Sequence, residues 1–198
     1  MSAMSKLEAV NEMLLAIGQA PVNTLAVAGI RDVSVASTIL DAISREVQTD
    51  GHSFNTFVET ATPDVNDEIA VASDAISVDA TDPSIEVIPW VDPSDSTRKL
   101  YDTVNQRPTF EDPVEVSVVK LLPFESLPQH ARRYIVALAK LRFQASVVGS
   151  PMLNSLFEQE VGMAYASFRK TELLQQDNNI LTAGGTIISR NRYRLRRY

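Results

Sequence analysis

The residues with the most evident chemistry lie in Ser189–Tyr198, SRNRYRLRRY, where arginine stands at 190, 192, 194, 196 and 197 and tyrosine at 193 and 198. Guanidinium groups pair with phosphates or, bidentately, with carboxylates, and tyrosine rings stack on bases or bury apolar area in a protein groove. If the segment is extended, Arg190, Arg192, Arg194 and Arg196 fall on one side and Tyr193 and Leu195 on the other, which suits strand addition to a partner. The whole chain carries a formal −7, so removing the decapeptide's five positive charges leaves −12 for the other 188 residues. A body so acidic repels nucleic acid at long range. The favoured partner for Arg190, Arg192, Tyr193, Arg194, Arg196, Arg197 and Tyr198 is therefore an acidic protein groove, with nucleic-acid binding as the alternative.

A second set of groups is the carboxylates Asp64, Asp67, Glu68, Asp74, Asp79, Asp82, Asp92 and Asp95. Two carboxyl groups a few ångströms apart would suffice for glycoside hydrolysis, so polysaccharide cleavage is a further alternative. Asp between short strands more commonly caps turns, because its side chain hydrogen-bonds the following backbone and tolerates left-handed dihedrals. His52 and His130 are far apart and stand in no HExxH spacing, and the chain has no cysteine. No thiolate nucleophile, disulfide or cysteine-based metal site is possible, and glycine-rich phosphate loops and the GxSxG elbow are absent too. The expectation is a protein without catalytic residues, metal or cofactor.

The elements that must carry these groups are legible from periodicity. Ser5-x-x-Glu8 forms a capping box before Leu7, Val10, Leu14 and Ile17, and Gly18 ends that helix. A second helix is expected from Asp32 or Ser34 to about Asp50, with Val35, Ile39, Ala42, Ile43 and Val47 inward and Gly51 as its left-handed terminator. From Phe54 to Leu122 helical periodicity gives way to short β-branched runs. Strands are expected at Asn55–Glu59, Glu68–Ala72, Ala75–Val78, Ile85–Pro89, Lys99–Thr103 and Val114–Leu121, arranged as a meander, with Trp90 favoured as a core anchor and an interface residue as the alternative. Helical spacing returns after Ser126, the expected N-cap, with His130, Arg132 and Arg133 forming a surface cation cluster. It restarts at Ser150-Pro151, where Leu153, Leu156, Phe157, Val161, Ala164 and Phe168 form the next buried stripe.

The resulting fold class is α+β. Two helical pairs, 1–53 and 123–177, make one four-helix bundle; 54–122 is an inserted small antiparallel β domain; 178–198 is an extended C-terminal arm. No run reaches the roughly 18 apolar residues of a membrane span, and no signal peptide is expected.

Four stretches resemble the tail tubular protein A family, the head-to-tail adaptors of short-tailed phages (podoviruses). AVNEMLLAIGQAPVNTL (9–25) is similar to the family's opening helix and turn, and REVQTDGHSFNT (45–56) to its second helix ending in Gly-x-x-Phe-Asn. KLYDTVNQRPTF (99–110) is similar to its Leu-Tyr-Asp hairpin, and VEVSVVKLLPFESLPQHARRYIVALAKLRFQASVVGSP (114–151) to its last strand and third helix. The resemblance implies a structural virion protein at the head-tail junction, made in the host cytoplasm. It implies a ring of about a dozen copies between the portal protein and the tail nozzle, tail tubular protein B, which also serves tail fibres. DNA would pass through this homo-oligomer without sequence-specific binding, with no membrane involved, and the arginine arm would reach the portal. Under this resemblance the hydrolase alternative becomes a tail-associated polysaccharide hydrolase.

Overall fold

The computed structural model describes residues 3–26, 31–94 and 96–182. It is a mixed α+β chain. In order come α1 (Lys6–Ala16), α2 (Arg31–Thr49), β1 (Thr56–Ala61), β2 (Ala75–Ala80), β3 (Val87–Val91), β4 (Arg98–Asp102), β5 (Val114–Lys120), α3 (Gln129–Val147) and α4 (Pro151–Thr182). The chain divides into two compact units, Met1–Ile39 with Pro128–Tyr198, and Leu40–Leu127.

In the helical unit α3 packs against both α1 and α4. The expected capping box starts α1: Glu8 N–H donates to Ser5 Oγ at 3.2 Å and Ser5 N–H donates to Glu8 Oε2 at 2.7 Å. Phe143, Ile135, Ala139 and Phe168 are buried, and Tyr134 stacks on Phe168 with ring centroids 5.2 Å apart. Lys140, itself buried on α3, donates to Glu12 of α1 at 3.1 Å and to Glu160 of α4, and lies 5.7 Å from the centre of the Phe157 ring. One cation thus ties three helices.

Two starts that look alike in sequence differ in structure. Pro151 is the first helical residue of α4, as expected. At the other site the expected Ser126 N-cap is corrected: Phe124–Ser126 is a 3-10 turn and Pro128 occupies the N-cap of α3. A residue before proline is driven out of the helical region, and Leu127, extended at φ −73° and ψ 148°, is buried there instead.

The second unit is built on two sheets. β5 lies between β1 and β2, antiparallel to both, and β3 pairs antiparallel with β4. The expected meander is therefore corrected. β5 buries more apolar side chains than any other strand, with Val114, Val116, Val118 and Val119 all buried, so it takes the centre and leaves β1 as an edge. The run Glu68–Ala72 forms only the bridges Glu68↔Thr109 and Ala70↔Lys99. Ile69, Val78, Val87, Leu100, Phe110, Val116 and neighbours form the core of this unit, each such side chain contributing roughly 1.5–3 kcal/mol by leaving water.

The ends of the β segment are stitched by two fully buried amides. Gln48 accepts from Leu122 N–H at 2.7 Å and donates to the Leu122 carbonyl at 3.1 Å. Asn55 donates to the carbonyls of Gln48 at 2.9 Å and Lys120 at 3.1 Å. Gly51, at φ +72°, makes the turn between them, and a Cβ there would sit 3.1 Å from Val119 Cγ2.

Candidate interaction surfaces

Four aspartates of the β unit, Asp64, Asp82, Asp92 and Asp102, are engaged in local turns. Asp82 Oδ1 accepts from Ser84 N–H at 2.8 Å and from its hydroxyl at 2.7 Å, and Asp92 repeats the arrangement with Ser94 at 2.8 and 2.6 Å. Asp64 Oδ1 accepts from the N–H groups of Asn66 and Glu68 at 2.8 and 3.1 Å. Asp102, which the carboxylate set above did not include, accepts from Val104 and Asn105 N–H at 2.9 Å each. A left-handed residue follows three of these turns: Asp67 (φ 62°), Ser96 (φ 59°) and Gln106 (φ 54°). The turn-forming reading of these aspartates matches this geometry.

The same bonds hold the carboxyls ionised. The Glu68 N–H lowers Asp64, the Ser84 N–H lowers Asp82, and the Ser94 hydroxyl lowers Asp92, with Lys99 adding to the last. Burial raises Asp102, but the bonds from Asn105 and Val104 outweigh it and its pKa is also lowered. Two carboxylates share a cation in a triad in which Lys99 Nζ lies 2.9 Å from Glu68 and 3.0 Å from Asp92. A general acid needs a carboxyl pushed up, whereas Asp92 is held down by three donors, the Ser94 hydroxyl and N–H and Lys99 Nζ. Among the described residues no three His, Cys, Asp or Glu side chains gather as a metal site.

Two expectations about single residues are corrected. His130 is not part of a surface cation cluster: its Nε2 lies 3.3 Å from Glu172 Oε1, and its ring packs 5.6 Å from Phe168. Arg132 is buried, donating to the Met4 carbonyl ahead of α1. Trp90 is half-buried on the outward face of the β3–β4 hairpin, its ring 5.5 Å from Tyr101, because Val87 and Leu100 take the inward face. His52 lies in the turn after α2, its N–H donating to Asn55 Oδ1 at 2.8 Å. The arm residues Arg190, Arg192, Tyr193, Arg194, Arg196, Arg197 and Tyr198, and Asp95, lie outside the described residues.

Leu156 gives the third correction. It was expected in the buried stripe of α4 and is 58% exposed. Met152, Met163, Leu173 and Leu174 are exposed on the same helix. The β unit thus engages several of its carboxylates in turns and ion pairs, and α4 leaves a set of apolar side chains in solvent.

The chain belongs to the tail tubular protein family, whose model matches residues 7–178, and this makes it a structural component of a phage tail. No curated protein matches the sequence significantly. Among the described residues no helix is long and apolar enough to cross a membrane. Sequence reading missed Gln48, Asn55 and Lys140, since polar residues within apolar stretches read as surface. The signal available for Asn55 was its place in Gly-x-x-Phe-Asn.

Proposed function

We propose that this protein is a head-to-tail adaptor of a short-tailed phage, of the tail tubular protein A type. About a dozen copies form a ring between the portal protein and the tail nozzle, and DNA passes through without sequence-specific contact. In this reading the helices of 1–53 and 123–177 form one four-helix bundle, 54–122 is the inserted β domain, and 178–198 is an arm that orders on docking to the portal. Arg190, Arg192, Arg194, Arg196 and Arg197 pair with portal carboxylates, and Tyr193 and Tyr198 bury apolar area. The observation that carries the reading is the family match along 7–178, which takes in both helical pairs and the β unit between them.

Electron microscopy of the purified chain, alone and with isolated portal, tests it. The expected result is a symmetric ring that docks on portal and loses affinity when Ser189–Tyr198 is deleted. A chain that forms no ring in either condition refutes the adaptor role, and unchanged docking after the deletion refutes the arm's part in it. Salt-dependent retention of DNA that vanishes with the arm would instead assign those arginines to phosphate.

A further inference from the structure

We infer that copies of this chain meet head to tail, the outer stripe of α4 on one copy seating against the outward face of the β3–β4 hairpin on the next. This rests on the ring reading above and names the two surfaces that build it.

The first surface follows from helical geometry. At 100° per residue, Met152, Leu156, Met163 and Leu174 fall within a strip roughly 40° wide and roughly 33 Å long. They are 85%, 58%, 69% and 56% exposed, whereas Phe157 and Phe168 on the opposite side are buried. Lys170 is the charged residue of that strip. Exposed apolar residues scattered singly are ordinary, but four in one row are not.

The second surface follows from strand register. Ile88 stands opposite Tyr101 and Trp90 opposite Lys99, so these four share the outward face. Ile88 is 47% exposed, and Trp90 and Tyr101 form a half-buried aromatic ledge beside it. The cation on this face, Lys99, is neutralised by Glu68 and Asp92. Flexible thioethers such as Met152 and Met163 adapt to aromatic rings, so the two surfaces suit each other chemically.

Charge selects a second copy as occupant and unlike faces as the pairing. Residues 40–127 hold 18 acidic against 5 basic side chains, and the remainder of the chain holds 7 acidic against 13 basic. Two β units facing each other would press like charge together within a Debye length of about 10 Å. A helical unit facing a β unit brings opposite signs together, or near-neutral against negative if the five terminal arginines are engaged elsewhere. Contacts between unlike faces repeat from copy to copy until the ring closes.

The test uses the full chain, with Leu156→Asp on one face and Ile88→Lys on the other, and circular dichroism to show that both variants fold. Sedimentation at low salt should show each variant alone with its self-association weakened at least about tenfold. Mixing the two should restore association, since each supplies the face the other has lost. If Ile88→Lys alone keeps full association while Leu156→Asp abolishes it, the α4 stripe pairs with itself and the inference is overturned. If both keep it, or if mixing restores nothing, it is overturned as well. A ring on portal that survives both substitutions leaves the proposed function standing and removes this account of its contacts, whereas absence of any wild-type ring removes the function itself.

Discussion

At the scale of residues, hydrogen-bond donors decide what the carboxylates do. Asp64, Asp82, Asp92 and Asp102 all have pKa values lowered by turn N–H or hydroxyl donors. A carboxyl whose folded pKa lies below its unfolded one contributes stability in full above about pH 4, and that stability is lost as pH falls through the folded value. Trp90 is the sole tryptophan and lies in the β unit, so its fluorescence reports that unit. Asp92→Asn should destabilise this transition at neutral pH, and the gap to wild type should narrow as pH drops below about 4. A gap independent of pH would mean that the ionised form is not what matters. Lys140 offers a second check. Lys140→Ala leaves Glu12 and Glu160 without their shared cation and should cost about 1–3 kcal/mol in urea denaturation, below the cost of a fully buried pair because both carboxylates are a third exposed. Lys140→Met, which keeps the buried stem, should cost less.

At the scale of elements, the end of α2 joins the β segment through backbone geometry as much as through packing. Gly51 sits in the left-handed region, and Val119 leaves no slack for a side chain. Gly51→Ala should therefore cost about 1–2 kcal/mol in thermal or chemical unfolding of the β unit. Gly18, also left-handed, has open space around its Cβ position, so Gly18→Ala meets the backbone penalty alone and should cost less. Equal losses at the two glycines would show that the Val119 contact is unimportant. The same scale explains the two proline starts, where Pro151 fits as a first helical residue and Pro128 follows a leucine that the core needs extended.

At the scale of the molecule, the dominant fact is uneven charge. The residues of the β unit carry a net −13 by formal count, 18 acidic against 5 basic. Raising ionic strength from about 0.01 to about 0.15 M shortens the Debye length from roughly 30 to roughly 8 Å and should relieve this self-repulsion. The midpoint of the Trp90-reported transition should rise accordingly. A fall would show that ion pairs such as Lys120 with Glu59, 2.9 Å apart, outweigh the net repulsion.

Much of this architecture is local and was therefore legible before folding. The capping box at Ser5 and Glu8, the glycine after α2 and the turn-forming aspartates each depend on residues close in sequence, whose hydrogen bonds and dihedrals need no distant partner. The tertiary structure alone decided what faces what. Periodicity shows that α4 has an apolar stripe but not that Leu156 stands outside it. Strand composition could not tell that β5 lies between β1 and β2, or that Trp90 faces outward. Nor could it pair His130 with Glu172, 42 positions away, or bury Gln48 and Asn55 as the clasp of the β segment. These outcomes turn on which surfaces compete for the same core, a competition between residues that only the folded chain brings together.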